Sequence, residues 1–262
     1  VHTSKLEEIK AAIKPNTKAI FLETPTNPTM EISDLRAISQ IAHENNFLVI
    51  VDNTFLTPYF QKPLDLGADI VIHSGTKYLC GHNDVLVGFT VAKDPVIADK
   101  LRLIYKTTGA CLGALDAWLV IRGIKTLPLR MEQHQKNAFA IAKWLQKQPR
   151  VQYVLYPGLE NHPGYEINKA QTTGFGGMIS FAVDNAETAR QILEGVKLIK
   201  FAESLGGTES LITYPIRQTH TDLTAEECAE KGITDCLLRF STGIEATQDL
   251  IDDLAQAFAA VK

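Results

Sequence analysis

The sequence predicts an α/β protein, and three observations carry that expectation. Short, β-branched apolar runs alternate with helical stretches from the start of the chain. The runs of the first half lead into polar residues, Glu23, Asp52 and Ser74 to Lys77, at the end of an open sheet where ligands bind. Beyond residue 137 the runs are fewer and read as a smaller α+β region. The alternation implies βαβ units and a mainly parallel sheet. A chain of 262 residues with 45% apolar content buries a substantial core, and its expected division is a large domain at 1–137 and a small one at 138–262.

In chain order, Ser4 with Glu7 reads as a capping box that opens a helix to Ala12. Since the first residue is Val1, the chain reads as starting mid-domain. Ala19 to Glu23 is a strand, and Glu23-Thr24-Pro25-Thr26-Asn27-Pro28 is a proline-broken loop at its end. Such a loop is either a rigid turn or a platform that holds Asn27 toward a ligand. A helix near Ser33 to Asn45 and a strand Phe47 to Val51 follow, and that strand leads into Asp52. A carboxylate there is expensive to bury without a partner. A salt bridge, a cap made with Asn53 or Thr54, or a ligand cation would each serve.

The runs Ala68 to Ile72 and Val85 to Ala92 enclose Ser74-Gly75-Thr76-Lys77-Tyr78-Leu79-Cys80-Gly81-His82-Asn83-Asp84-Val85. A lysine between two core strands is desolvated, which lowers its pKa and makes the neutral, nucleophilic amine accessible. Ser74 and Thr76 flank it and can donate hydrogen bonds to an anion.

From Leu112 the pattern turns helical, and Pro128 marks a boundary or kink in a long amphipathic run through Gln148 that bridges the two regions. Arg130 and His134 on this run read as structural, because nothing in the sequence pairs them with Lys77. Strands are expected at Val151 to Tyr156, Met178 to Val183 and Leu237 to Ser241, and helices near Ala186 to Val196 and Thr247 to Ala260. Gly174 and Gly176-Gly177 make a turn rather than a phosphate loop, since no Gly-Lys-Ser/Thr follows. Ala202 to Ser210 reads as a polar, glycine-rich surface loop. Arg239 sits inside Leu237 to Gly243, a half-buried strand, and so requires an anion. A structural salt bridge or an amino-acid carboxylate gripped by the guanidinium fork would supply one.

A formal charge of −4 with no basic block argues against a nucleic-acid partner. No apolar run is long enough to span a bilayer and no signal peptide is evident, so a soluble cytoplasmic protein is expected. Cys80, Cys111, Cys228 and Cys236 are scattered without C-x-x-C spacing and read as reduced thiols. His73, His82, Asp84 and Asp52 lack metal-ligand spacing, and no metal is expected.

The run Ser-x-Thr-Lys-Tyr-Leu-x-Gly-His-x-Asp-Val at Ser74 to Val85 resembles the cofactor-lysine segment of the Cys/Met-metabolism family of pyridoxal-phosphate enzymes, the cystathionine γ-synthase and γ-lyase group. The resemblance extends over essentially the whole chain, including Leu129 to Ala138, which is similar to a Leu-Arg-Met-x-x-His-x-x-Asn-Ala segment of that family. It implies fold type I, with a large cofactor domain and a small C-terminal α+β domain. It implies pyridoxal 5′-phosphate bound to Lys77 as a Schiff base, with Asp52 at its ring nitrogen, Ser74 and Thr76 at its phosphate, and Asn27 at the ring oxygen and substrate. Arg239 would bind the substrate α-carboxylate, and Ser204 and Leu205, preceded by Glu203, would approach the substrate. Relative to that family a long N-terminal stretch is absent, the one that carries a stacking aromatic ring and a Tyr and Arg for the neighbouring subunit. The implied reaction is γ-elimination of cystathionine to cysteine, 2-oxobutanoate and ammonia in a homo-oligomer, a dimer-based tetramer. γ-Replacement on an O-acylhomoserine, a methionine or homocysteine γ-lyase, and a catalytically silent cofactor-binding protein are the alternatives.

Overall fold

Residues 1–218 and 224–262 are described by a computed structural model of the chain. Regular structure begins with α1 (Leu6–Ala12), whose N-cap is Lys5 and carries no side-chain cap bond. The box expected from Ser4 and Glu7 is not formed. The Ser4 hydroxyl donates instead to Glu31 Oε2 at 2.9 Å, a tertiary acceptor that outcompetes the local one.

β1 (Ala19–Glu23) is followed by α2 (Leu35–Glu44), β2 (Leu48–Asp52), the single turn α3 (Thr57–Phe60), β3 (Ile70–Ser74) and β4 (Gly88–Ala92). The strands form one sheet in the order β1-β2-β3-β4, the first three parallel and β4 antiparallel. Asp34 starts α2 by accepting a hydrogen bond from the Ala37 N–H at 3.0 Å. Leu35, Ile38, Ile41 and Ala42 then bury one helical stripe against Leu22, Val49, Val51 and Val71. β3 runs two residues past the expected Ile72, so the lysine turn leaves directly from the strand end. β4 is an edge strand with Gly88, Thr90 and Val91 exposed, not the core strand expected from its apolar run. The register pairs Glu23 with Asp52 and Asp52 with Ile72. Glu23, Asp52 and Ser74 therefore lie along one edge of the sheet.

α4 (Pro95–Thr108) was not among the expected elements. Asp94 caps it through the Val96 and Ile97 N–H groups, Pro95 occupies its first turn, and Gly109 ends it at φ +70°. None of its residues is buried. After α5 (Ala114–Ile124) comes α6 (Leu127–Leu145), and Pro128 proves to be a helix boundary in its first turn. Leu127 and Met131 join a cluster with Met30, Leu56, Phe60, Tyr78 and Leu205, while Ala138, Ile141 and Leu145 join the core of the second sheet.

The second half comprises β5 (Val151–Leu155), α7 (Tyr165–Gln171), β6 (Met178–Val183), α8 (Ala186–Gly195), β7 (Lys200–Phe201), β8 (Leu211–Thr213), α9 (Ala225–Glu230), β9 (Leu237–Ser241) and α10 (Thr247–Ala260). Its sheet has the order β5-β6-β9-β8-β7, antiparallel except for β7 beside β8. β6 and β9 are buried throughout, and Ile141, Leu145, Ile192 and Leu254 pack with Phe181, Leu238 and Phe240. Asp253 of α10 accepts hydrogen bonds from the backbone N–H groups of Lys197, Leu198 and Ile199, fixing the approach to β7. No helix among the described residues is long and apolar enough to cross a membrane.

Candidate active site

The polar strand ends of the first sheet are joined by short hydrogen bonds. The Thr54 N–H donates to Asp52 Oδ1 at 2.9 Å, and the Ser74 N–H donates to Thr54 Oγ1 at 2.8 Å. Asp52 is thus held from its own chain, in the manner of a turn cap, and has no cationic partner among the described residues. Glu23 beside it accepts the Asn27 N–H at 2.7 Å. Burial, opposed by that hydrogen bond and reinforced by the Asp52 charge, pushes the Glu23 carboxyl above its usual range. The cap expected between Asp52 and Asn53 or Thr54 is thus made with Thr54, while the burial of Glu23 beside Asp52 was not expected. Its signal was its place in register with Asp52 at the neighbouring strand end.

Past β3 the chain turns at once. The Lys77 N–H returns to the Ser74 carbonyl at 3.2 Å and the Gly81 N–H to the Lys77 carbonyl at 2.8 Å. Lys77 projects its amine toward the loop between β7 and β8, where Nζ donates to Ser204 Oγ at 3.2 Å. Burial lowers the Lys77 pKa, the Arg239 charge lowers it further, and Glu203 opposes both. Ser74 spends its N–H on Thr54 and leaves its hydroxyl unused among the described residues. The Thr76 hydroxyl accepts the Val87 N–H at 3.0 Å and makes a longer bond of 3.4 Å to the Val87 carbonyl, so it also ties the turn to the start of β4.

Arg239 reaches the same place from the second sheet. It lies in the middle of β9 and is 2% exposed, more deeply buried than the half-buried position expected. Its Nη1 donates to Asn27 Oδ1 at 3.0 Å, and its Nη2 donates to the Ser204 carbonyl at 2.9 Å and to Thr213 Oγ1 at 3.1 Å. Nε has no partner. The structural salt bridge that sequence alone left open is absent: no carboxylate pairs with Arg239 among the described residues. Burial brings its pKa down to about 10, against the pull of Tyr78, Glu203 and Glu23. A buried guanidinium held only by neutral acceptors among the described residues has the chemistry to bind an anion.

Lys77, Asn27, Ser204 and Arg239 thus form one connected network, with Asp52 and Ser74 on the strand ends beside it. Glu203 is exposed on the wall of a cavity of about 530 Å³, lined also by Thr76, Asp84, Leu86, Ala202 and Ser204. Leu205 points elsewhere and is buried against Tyr78, Leu79 and Met131. Ser204 has φ +127°, a conformation that turns its carbonyl to Arg239 and its hydroxyl to Lys77. His73 is buried on β3, whereas His82 and Asp84 are exposed. His134 is structural, with Nδ1 against the Thr242 carbonyl at 2.6 Å and a pKa pushed down by burial to about 4.

The residues fit the cofactor that the sequence resemblance implies. A desolvated lysine without an ion-pair partner, a carboxylate without a cation, a free serine hydroxyl and an unpaired buried guanidinium are the groups that a Schiff-base cofactor with a protonated ring nitrogen and a carboxylate-bearing substrate would complete. Known proteins are similar to the chain in sequence and in fold. The chain is 52% identical over 257 residues to a cystathionine γ-lyase of Bacillus subtilis, covering 98% of this chain and 68% of that protein. It is 53% identical over 262 residues to a cystathionine γ-synthase of Haemophilus influenzae, covering 100% of this chain and 67% of that one. A crystal structure of cystathionine γ-lyase from Lactobacillus plantarum complexed with L-serine superposes with a TM-score of 0.97 at 44% identity, over 100% of this chain and 68% of that chain. The chain spans about two thirds of the length of these proteins. The family model for Cys/Met metabolism PLP-dependent enzymes matches residues 1–259, and with these relatives and the fold-type-I architecture the chain belongs to that family of trans-sulfuration lyases and synthases.

Proposed function

We propose that the protein cleaves cystathionine by γ-elimination, with water, to cysteine, 2-oxobutanoate and ammonia. The observation that carries this reading is Arg239, buried without a carboxylate partner and connected through Ser204 to the Lys77 amine. An amino acid whose carboxylate meets Arg239 and Asn27 brings its α-carbon toward Lys77.

In this reading Lys77 holds pyridoxal phosphate covalently, Asp52 keeps its ring nitrogen protonated, Ser74 and Thr76 bind its phosphate, and Asn27 serves its ring oxygen. Once bound, the cofactor supplies an electron-withdrawing ring that absorbs the electrons left when the α-proton departs. The chain does the rest. Lys77, released when the substrate's own amine displaces it, is then a free desolvated amine that takes the α-proton and moves protons at the β-carbon as the γ-carbon to sulfur bond breaks. Ser204 steadies that amine, and Leu205 anchors the loop from below through its packing. Glu203 on the cavity wall offers a carboxylate to the second ammonium group of cystathionine. Thr76 reaches a phosphate at the expense of its longer bond to the Val87 carbonyl.

The γ-synthase reading, joining an O-acylhomoserine to cysteine, is supported by 53% identity to the Haemophilus influenzae enzyme, against 52% to the Bacillus subtilis one. Product analysis separates the two. Cystathionine alone is expected to yield 2-oxobutanoate and cysteine. Formation of cystathionine from cysteine and an acylated homoserine, with no 2-oxobutanoate from cystathionine alone, overturns the lyase reading. Self-association of the subunits belongs to the same proposal, since Leu103, Ile104, Tyr105, Leu115, Trp118 and Ile121 of α4 and α5 are all exposed.

A further inference from the structure

We infer that Arg130 is a positioning residue for Lys77: its buried guanidinium clamps the turn that carries the lysine and joins that turn to the helix that also holds the end of β9. The inference rests on the reading of Lys77 as the cofactor lysine. Arg130 is 3% exposed. Its Nη1 donates to the Tyr78 carbonyl at 2.6 Å, and its Nη2 donates to the Leu79 carbonyl at 3.3 Å and the Gly123 carbonyl at 2.8 Å. Its Nε donates to Thr126 Oγ1 at 3.0 Å. No carboxylate pairs with it among the described residues.

The carbonyls of the lysine turn can be accounted for one by one. That of Lys77 accepts the Gly81 N–H, that of Cys80 lies 2.7 Å from His82 Nδ1, and that of Gly81 accepts the Thr208 N–H. The two in between, Tyr78 and Leu79, belong to the residues that directly follow the lysine, and among the described residues Arg130 alone satisfies them. Gly81 is part of the same device. Its φ is +73°, and a β-carbon there would fall on the Arg130 guanidinium.

Arg130 also belongs to a polar stripe on α6. His134 and Asn137 follow at spacings of four and seven residues, so the three share one helix face. His134 engages the Thr242 carbonyl, and Asn137 Nδ2 donates to the carbonyls of Gly243 and Glu245 at 3.0 and 2.9 Å. Those residues come directly after the strand that carries Arg239. One rigid helix face therefore sets the spacing between the Lys77 turn and the Arg239 strand, the spacing that an amino acid must bridge from its α-carbon to its carboxylate.

The test compares wild type with Arg130→Lys, Gly81→Ala and the double variant. In the cofactor-free chain, amide hydrogen exchange at Cys80 and Gly81 is expected to accelerate tenfold or more in each single variant, with the amides of α5 and α6 unchanged. In the loaded enzyme kcat is expected to fall at least tenfold while KM for the substrate stays within twofold, and the double variant should be no worse than either single one. Acceleration spread evenly over α5 and α6, additive losses, or a rise in KM at constant kcat overturns the clamp. If Arg130→Lys does not fold, Thr126→Val frees the same guanidinium at Nε and gives the same exchange reading. Borohydride fixation of pyridoxal phosphate at Lys77 in the wild type tests the underlying assignment separately. Its failure overturns the functional reading, and the exchange data still decide whether Arg130 holds the turn.

Discussion

Lys77 and Arg239 are both cations whose pKa burial lowers, and both touch Ser204, yet the chain mounts them in opposite ways. Lys77 stands on a turn, partly buried, with one hydrogen bond of 3.2 Å to a hydroxyl. Arg239 stands in mid-strand between two fully buried strands, with three acceptors at 2.9 to 3.1 Å. Conformational entropy explains the difference. A group that must swing between partners is held weakly at the end of a long, flexible stem. A group that must hold a carboxylate in one orientation is fixed before the ligand arrives.

Removing the mobile partner should give the largest effect. Lys77→Ala is expected to lower turnover by about a thousandfold or more, with thermal stability close to wild type because the amine packs against nothing in the core. Near-normal turnover would end the comparison, since Lys77 would then be an ordinary buried lysine.

Arg239→Lys sharpens it from the other side. Charge is kept but the fork is lost, so KM should rise tenfold or more, about 1.4 kcal/mol, while cofactor binding is unchanged. Asn27, Ser204 or Thr213 loses a donor, which costs on the order of 1 kcal/mol of stability. A loss of several kcal/mol at unaltered KM would mean that Arg239 only holds the sheet together.

The smallest effect belongs to the residue the two cations share. Ser204→Ala removes the acceptor that favours the charged form of Lys77, so its already lowered pKa should fall further. The pH midpoint for attachment of pyridoxal phosphate to the cofactor-free protein then moves down, with kcat reduced only a few-fold. A midpoint that stays in place would show that the 3.2 Å contact carries no proton energetics.

Lys77, Asp52 and Asn27 were legible in the sequence because each lies on or just past a strand end, where a run of apolar residues stops on a polar one. Arg239 was legible for a different reason, as a charge inside an apolar run, although its depth and its neutral partners were not. β7 and β8 could not be read, because two and three residues establish no period. α4 had readable ends at Asp94, Pro95 and Gly109, but its apolar side chains face outward and so matched no buried stripe. Arg130 was read as structural because its partners are backbone carbonyls 51 and 52 residues away, and carbonyls leave no mark in a sequence. Ser4 shows the converse error, a local motif whose hydroxyl found a better acceptor across the fold.

The loop that carries Glu203 and Ser204 is tethered by groups outside it. Asp253 secures the segment before it at Lys197 to Ile199, Glu245 grips the Ser210 N–H and hydroxyl, and the Gly81 carbonyl accepts from Thr208 in between. Residues 203 and 204 can therefore change identity without loosening the sheet or moving the arginine behind them. Such a mounting uncouples the identity of two cavity-wall side chains from the stability of the fold that carries them.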